Sequence, residues 1–493
     1  MSSDPDVIKA VTSGERCEYC KKAGYGACVT KKSIAGGERA LKADLLIVDN
    51  KIARIDAQGI KPESAETTVI DCTGKIVSPG FVDTHHHMWQ TQLRGRHAND
   101  LFLDYMPKGN LAGKLFTPED IFWGELGGVP GGHRRRNDDG ASRAISATAA
   151  SGIRSYFCYC PTMRLESWST PLQFSQELMP DWLNVQLASL AEKQPFGDGR
   201  VRLGFAFEGY FLPQEYVSAI FEKVRASGVK LITSHYGRGP YWGQSSVVGT
   251  LSAYGLLKDD ILLSHANGAT PEDARLLTEA NVHTSSTPDT ELQMALGMPV
   301  CFRDDMISHA SLGVDCHTSN SGILSQMRLA LQSARGTTNQ TFVAAGKVPR
   351  SMKHTAEEAF NLGTIKGARA VAMESEIGSI AVGKLADLVI WDGESPALVC
   401  AAEHDPVAAI VLHASVGDID TVIVDGKIRK RGGKLVPVDV GDGKTMEWKE
   451  VAKELLVSRA RIEKEHQKLD FAAATAGVMQ LFQISPETLV DSV

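Results

Sequence analysis

Residues 78–88 read SPGFVDTHHHM, a short apolar run that ends in three consecutive histidines. Side chains alternate across a β-strand, so His85 and His87 would share one face while His86 points to the opposite face. Two imidazoles on one face, at the end of a strand, can bind one divalent cation. The pattern is a weak signal by itself, and its meaning depends on the strands that follow.

Three later apolar segments also end in side chains that bind metals. VKLITSH ends at His235, DILLSH at His265 and SLGVD at Asp315. In a parallel barrel, the C-terminal ends of the strands converge at one mouth. A lone histidine at a strand end is usually a packed or loop residue, but this series is difficult to explain by packing. The sequence therefore predicts a metal site.

The region from Asp83 to about residue 375 alternates apolar runs with helical segments, which is typical of parallel strands covered on both faces. The span from Asp83 to Asp315, together with one closing helix, is close to the roughly 250 residues of a typical (β/α)8 barrel. We therefore predict the α/β class and a TIM barrel. The candidate strands are Ile153–Cys160, Val201–Glu208, Val229–His235, Asp260–His265, Asn281–Ser286 and Ala310–Asp315.

Short strand-like runs flank this region on both sides. Asp49-Asn50 predicts a hairpin turn, and similar runs return in GKLADLVIWDG and DIDTVIVDGKIRKRGG. We expect both sets to pair into one small composite β-sandwich. The predicted domains are a variable N-terminal extension (1–38), the first part of the sandwich (39–79), the barrel (80–378), the second part of the sandwich (379–440) and a helical tail (441–493).

Two segments fit this plan poorly. The extension contains Cys17, Cys20 and Cys28, but a structural zinc site needs four ligands and no fourth is evident nearby. Residues 127–142 read GGVPGGHRRRNDDGAS where the second barrel strand is expected. Proline and clustered glycines are typical of a loop rather than a central strand, so we expect the barrel to be irregular at its second strand.

Composition narrows the class of protein. The chain has 493 residues, a net charge of −7 and nine cysteines. The acidic balance gives no reason to expect nucleic acid or an anionic membrane as a partner. The N-terminus lacks the pattern of a secretory signal, and no window approaches the roughly 18 apolar residues of a membrane span. We expect a cytoplasmic enzyme that acts on a small molecule.

The motifs resemble those of a known family. SPGFVDTHHHMWQTQLRG resembles the first-strand motif of the amidohydrolase superfamily, in the branch of cytosine and guanine deaminases and chlorotriazine hydrolases; LGVDCHTSN and GSIAVGKLADLVIWD resemble later motifs of that branch. The resemblance spans roughly residues 43–436. It implies that one divalent ion, zinc or alternatively iron, binds to His85, His87, His235 and Asp315, with His265 close by.

The resemblance also implies roles. A cation held by imidazoles and a carboxylate lowers the pKa of a water molecule to about 7, so that hydroxide can attack an electron-poor carbon. Asp315 would accept the proton, and His265 would stabilise the intermediate. Gln92, Glu208 and Glu291 are candidate substrate-binding residues. Glu208 stands where binuclear relatives commonly have a lysine, which favours a single metal, although a bridging glutamate leaves a second metal open.

Arg238 is the main departure from the deaminases, which carry a glutamate three residues after the histidine that corresponds to His235. Arginine stays protonated and cannot shuttle protons at neutral pH. We therefore favour hydrolysis of an amide, a cyclic amide or a related C–N bond in a small cyclic or aromatic substrate, with Arg238 as a candidate anion-binding residue. Deamination of a heterocyclic amine and a non-catalytic binding role are the alternatives. Related enzymes are often dimers or tetramers, so we expect a homo-oligomer.

Overall fold

The computed structural model describes residues 7–11, 27–28, 40–61, 67–128, 138–161, 164–168, 171–177, 179–316 and 322–491. The chain forms two compact units. The terminal unit comprises residues 1–82 and 323–437, and the central unit comprises residues 83–322 and 438–493.

The central unit contains a parallel sheet of six strands, and its order in space is its order along the chain. All neighbouring pairs are parallel. The apolar runs form these strands because both faces of the sheet are covered. The six predicted strands and the α/β class are confirmed. The strands are β1 (Ser155–Tyr159), β2 (Val201–Ala206), β3 (Ile232–Gly237), β4 (Ile261–Asn267), β5 (His283–Ser286) and β6 (Ala310–Leu312).

The histidine stretch lies beside the last strand of this sheet. The Thr84 amide donates to the Leu312 carbonyl at 3.1 Å, and the His87 amide donates to the Asp315 carbonyl at 2.8 Å. In return, the Asp315 amide donates to the His85 carbonyl at 2.7 Å. His85 and Asp315, which lie 230 positions apart in the sequence, are thus held in parallel segments by backbone hydrogen bonds.

Helices pack on the sheet of the central unit through a continuous apolar core. Phe157, Phe205 and Leu263 from the strands are buried against Val217 and Phe221 of a covering helix. The α-helices of this unit are Phe102–Tyr105, Pro118–Gly128, Asp138–Ser151, Asp181–Lys193, Gln214–Ala226, Val247–Ala253, Pro271–Glu279, Pro288–Gln293, Trp448–His466 and Phe471–Leu481.

Shorter elements complete the central unit. They are the 3-10 helices Met88–Leu93, Leu111–Leu115, Ile307–His309 and Pro486–Thr488, the π-helix Met106–Asn110, and the short strand pairs Leu165–Ser167 with Gln173–Phe174 and Val438–Asp439 with Thr445–Met446.

The stretch 127–142 is helical at both of its described ends, and the irregular second strand expected between them stays a prediction. Gly127 and Gly128 lie in the last described turn of the helix Pro118–Gly128, where other side chains occupy the space that a Cβ would need. A Cβ on Gly127 would lie 2.5 Å from Leu455, and one on Gly128 would lie 2.9 Å from Thr91. Residues 138–142 begin the next helix. The rest of the stretch, 129–137, lies outside the described residues, as do Cys17 and Cys20.

The terminal unit contains two sheets. One has the order Lys51–Asp56, Asp44–Val48, Val7–Val11, Thr68–Asp71, and the other has the order Lys434–Leu435, Lys427–Arg431, Ile419–Val424, Leu388–Asp392, Lys75–Pro79, Ala27–Cys28. The hairpin predicted at Asp49-Asn50 is confirmed. The strand Val7–Val11, within the predicted extension, was not anticipated.

One apolar core joins strands from the two ends of this unit's sequence. Ile47 and Ile52 from the N-terminal part share a buried cluster with Leu388 and Ile423. The helices of the unit are Ile323–Ala344, Ala356–Leu362, Ile365–Ala370, Val399–His404 and Pro406–Ala408, with the π-helix Ala409–His413 and the 3-10 helix Val416–Asp418. Within the described residues, no helix combines the length and apolarity that a bilayer crossing requires.

The helix Gln214–Ala226 offers a matched test of the core. Phe221 is 0% exposed, whereas Tyr216 on the same helix is 42% exposed. We expect Phe221→Ala to lower the free energy of unfolding by about 3–5 kcal/mol, because it removes a buried ring and leaves a cavity. Tyr216→Ala should change it by less than about 0.5 kcal/mol. Denaturant unfolding followed by circular dichroism measures both, and equal losses would contradict this description of the core.

Candidate metal centre

Four predicted ligands meet at one place in the central unit. One ligand atom from each of His85, His87, His235 and Asp315 lies within 4.8 Å of the other three. Asp315 Oδ1 is 3.2 Å from His85 Nε2 and 3.1 Å from His87 Nε2. His235 Nε2 is 3.4 Å from His87 Nε2. The group thus presents three imidazole nitrogens and a carboxylate to a common point, which is a donor set typical of zinc.

Burial and hydrogen bonds set the protonation states of His87 and Asp315. The burial of His87 lowers its pKa to about 3, so the ring is neutral at physiological pH. Burial alone would raise the pKa of Asp315, but hydrogen bonds from His85 and His87 outweigh it and hold that pKa well below its ordinary value. Neutral imidazole and ionised carboxylate are the forms that coordinate metals.

Hydrogen bonds to the outer ring nitrogens orient two of the imidazoles. His85 Nδ1 lies 2.7 Å from the Ser264 hydroxyl. His235 Nδ1 lies 2.6 Å from Glu208 Oε1, and the His235 backbone amide donates to the same oxygen at 3.2 Å. A carboxylate accepts here, so the proton of His235 resides on Nδ1 and Nε2 is left with its lone pair. Such partners fix the tautomer and the direction of a ligating histidine.

Asp83 connects the two segments that carry most of the ligands. Its Oδ1 accepts hydrogen bonds from the backbone amides of His85 at 3.2 Å and Val314 at 3.1 Å. Its Oδ2 lies 2.7 Å from His86 Nδ1, on the face opposite to the ligands, as the alternation of side chains predicts. The sequence analysis did not identify Asp83 as a site residue. Its position directly before the histidines was the available signal.

The backbone around the site is tight. A Cβ on Gly313 would lie 2.6 Å from Ser285 Oγ and 2.7 Å from His85 Cβ, so only glycine allows this approach. His265 and Asp315 adopt left-handed conformations with φ of 71° and 68°. Such backbone costs energy, though Asp and His tolerate it better than most residues, and it concentrates at functional sites.

His265 lies next to the ligand group. Its Nε2 is 3.9 Å from Asp315 Oδ2, while its Nδ1 is 2.9 Å from Thr287 Oγ1 and 3.5 Å from Glu291 Oε1. Burial alone would lower the pKa of His265, but Glu291 and the charge of Asp315 raise it above its ordinary value. Glu291 is fully buried, and its Oε1 accepts a hydrogen bond from the Thr287 amide at 2.8 Å.

A small pocket opens onto the ligands. Glu208 lines this pocket beside the histidines, as the sequence analysis expected for a substrate-binding residue. Cys160, which follows β1, also lines the pocket, and the sequence analysis did not identify it. The lining residues are His85, His87, Cys160, Ala206, Glu208, Thr233, Ser234 and His235.

Gln92 and Arg238 make contacts of another kind and do not line this pocket. The Gln92 side chain donates to the Asp120 carbonyl at 2.7 Å and to the Ser458 hydroxyl at 2.9 Å. Arg238 Nη1 lies 3.3 Å from Asp273 Oδ2. Both contacts join parts of the central unit to each other. The motif residues His317, Ser319 and Asn320 lie outside the described residues.

Comparison with known sequences agrees with these motifs. The model of the amidohydrolase family matches residues 245–429. A 5-methylthioadenosine/S-adenosylhomocysteine deaminase of Acetivibrio thermocellus is 27% identical over 419 residues, which cover 79% of this chain and 88% of the relative. A 5'-deoxyadenosine deaminase of Methanobrevibacter smithii is 27% identical over 435 residues, 81% of this chain and 91% of the relative.

Solved structures show the same fold. An adenosine deaminase from Xanthomonas campestris with bound zinc superimposes with a TM-score of 0.72 at 18% identity, covering 94% of this chain and 100% of that one. The atrazine chlorohydrolase of Arthrobacter aurescens, complexed with zinc, gives a TM-score of 0.71 at 18% identity, with coverage of 92% and 99%. The predicted resemblance to the deaminase and chlorotriazine hydrolase branch is confirmed.

The contact between Glu208 and His235 predicts an effect on metal affinity. Glu208→Gln keeps the shape of the side chain but removes the charge that orients and polarises the imidazole. We expect the zinc dissociation constant to rise about 10–100-fold, as measured by competition with a chromophoric chelator. Glu222→Gln, on an exposed helical position, is the control and should bind zinc as the unaltered chain does. Unchanged affinity in Glu208→Gln would refute the orienting role.

Proposed function

We propose that this chain, with its amidohydrolase motifs, is a metal-dependent hydrolase that cleaves a C–N bond other than a peptide bond in a small cyclic or aromatic molecule. The convergence of His85, His87, His235 and Asp315 is the observation that carries this proposal. A buried carboxylate surrounded by three imidazoles is costly to assemble for stability alone, because the carboxylate and each ring must lose water.

We assign one divalent cation to this group, with zinc favoured over iron. The donor set and the zinc in the structural relatives support zinc. Within the described residues, this is the one cluster with the arrangement of a metal site, which supports a single ion. When bound, the ion supplies Lewis acidity and lowers the pKa of a water molecule to about 7.

The protein's own groups would then move the protons. Asp315 keeps Oδ1 toward His85 and His87, so Oδ2 is the atom that accepts a proton from the attacking water and returns it to the leaving nitrogen. His265 faces Oδ2 through its Nε2, from which it would donate a hydrogen bond to the oxyanion that develops on the substrate. Thr287 and Glu291 hold the opposite nitrogen of that ring.

Hydrolytic deamination of a heterocyclic amine is the second candidate. The names of the sequence relatives favour it, since they are deaminases of adenosine derivatives. Such a reaction needs an acid for the ring nitrogen, and Arg238 cannot serve at neutral pH. Glu208 is the carboxylate that lines the pocket beside His235, and we assign it this role for a deaminase substrate.

The wider architecture belongs to the same proposal. Residues 83–87 would be the first strand of a closed eight-stranded (β/α)8 barrel, as their pairing with the segment after β6 suggests. The strands of the terminal unit would be a composite β-sandwich with the boundaries predicted above, since they share one core. We also propose that the chain forms a homo-oligomer and that it is located in the cytoplasm.

A substrate panel separates the two reactions. We expect the zinc-loaded chain to hydrolyse at least one cyclic amide, purine or triazine, and to lose this activity on treatment with a chelator until zinc is restored. Coupled detection of ammonia identifies deamination, and mass spectrometry identifies ring or amide cleavage. A chain that binds zinc stoichiometrically but turns over no member of the panel would contradict the hydrolase assignment.

His265 and Glu291 can be tested without disturbing the metal ligands. Asn adopts left-handed backbone readily, so His265→Asn should keep the local fold and the zinc content while kcat falls about 100–1,000-fold. Glu291→Gln should lower kcat less, because the ring keeps its contact with Thr287. His404→Asn, at an exposed position, is the control. Loss of zinc in His265→Asn, measured by atomic emission, would instead make His265 a ligand.

A further inference from the structure

The segment after His235 forms a tight turn that presents two aromatic side chains. The Gly239 amide donates to the Gly243 carbonyl at 2.9 Å. Both glycines have positive φ, 140° and 70°, which L-residues with a side chain rarely adopt. The turn between them carries Tyr241 and Trp242 at its tip, only a few residues beyond a metal ligand.

Gly237 lets the indole of Trp242 lie directly against the end of β3. A Cβ at this position would lie 2.7 Å from the indole Cδ1 and 2.8 Å from its Nε1, so any other residue would displace the ring. The indole centroid lies 6.5 Å from the centroid of His265, with the two rings inclined at 33°. Trp242 is thus held beside the residue that faces Asp315.

Two phenylalanine rings pack against the indole of Trp242. Phe102 lies 5.3 Å from it and Phe482 lies 6.1 Å from it at an interplanar angle of 85°, measured between ring centroids. The same cluster includes Cys316, which follows Asp315 in the sequence. Aromatic residues at positions 102, 242 and 482 therefore converge next to the ligand group, and Phe482 comes from the C-terminal tail.

Trp242 remains partly exposed despite these contacts. A large, rigid ring that is fixed by neighbours and open on part of its surface can stack on a flat ligand at little conformational cost. Ligand pockets typically combine such an apolar surface with a few polar groups that fix orientation. Here His265, whose ring centroid lies 6.5 Å from that of the indole, is such a polar group.

We propose that Trp242 provides a stacking surface for a planar heteroaromatic ring of the substrate, and that it determines the substrate class. This inference rests on the proposed function, because it takes the metal centre as the place of reaction. The ring would lie over the indole with its reacting carbon toward His265 and Asp315. Phe482 is a positioning residue that keeps the indole in place.

Direct binding to the zinc-loaded, full-length chain tests the inference without requiring turnover. The probes are 5'-methylthioadenosine, adenosine and atrazine, and calorimetry gives the dissociation constant. Trp242→Leu keeps an apolar side chain but removes the ring, and we expect it to weaken binding of the probe that the unaltered chain binds best by about tenfold. Trp242→Phe should stay within about threefold. Trp448→Leu is the matched control, because Trp448 is also partly exposed, at 44%.

The outcomes are distinguishable from failure of the proposed function. Weaker binding in Trp242→Leu alone, with unchanged zinc content and circular dichroism, supports the stacking surface even if no probe is hydrolysed. Equal binding by Trp242→Leu and the unaltered chain overturns it, as does the absence of binding of all three probes. Equal weakening in Trp448→Leu also overturns it. If Trp242→Leu does not fold, tryptophan fluorescence provides the test. We expect a bound probe to quench the fluorescence of the unaltered chain but not that of Trp242→Phe. Quenching that persists in Trp242→Phe overturns the inference.

Discussion

The rest of the site depends on one electrostatic constraint, which is the burial of the Asp315 carboxylate among three imidazoles. An ionised carboxylate away from water is costly unless it is paired, and here His85 and His87 hold its pKa well below the ordinary range. The imidazoles can bind a cation only while they are neutral, a state that burial enforces most clearly at His87. The protein thus holds a negative charge and neutral ligands together, an arrangement that a divalent cation completes.

The ligands are placed by the backbone and aimed by the side chains around them. Backbone hydrogen bonds bring residues 84–87 and 312–315 together in parallel, and Asp83 ties the same two segments through its carboxylate. Ser264 and Glu208 then fix two of the rings from the outside. Gly313 is required because no side chain fits between these segments.

The sequence predicted the four residues that converge because their signal is local. Alternation on a strand separates His86 from His85 and His87, and apolar runs mark the strands that end near His235, His265 and Asp315. The contacts that it could not predict are made across long separations. Gln92 donates to Ser458, 366 residues away, and Leu455 fills the space that a Cβ on Gly127 would need. Hydrophobic periodicity contains no information about either neighbour.

Arg238 stands where the resemblance predicts a glutamate, and its contacts illustrate how distant neighbours change the interpretation of a motif. Asp273 lies in the first turn of the helix Pro271–Glu279. Its carboxylate accepts hydrogen bonds from the Thr270 backbone amide at 2.8 Å and from the Tyr236 hydroxyl at 2.9 Å. Arg238 adds its charge to the same carboxylate. Tyr236 and Arg238, which follow His235, are therefore engaged with the first turn of the helix that follows β4. Arg238 cannot supply a proton at neutral pH, whereas the Glu208 carboxylate is hydrogen-bonded to His235, within the group of converging residues.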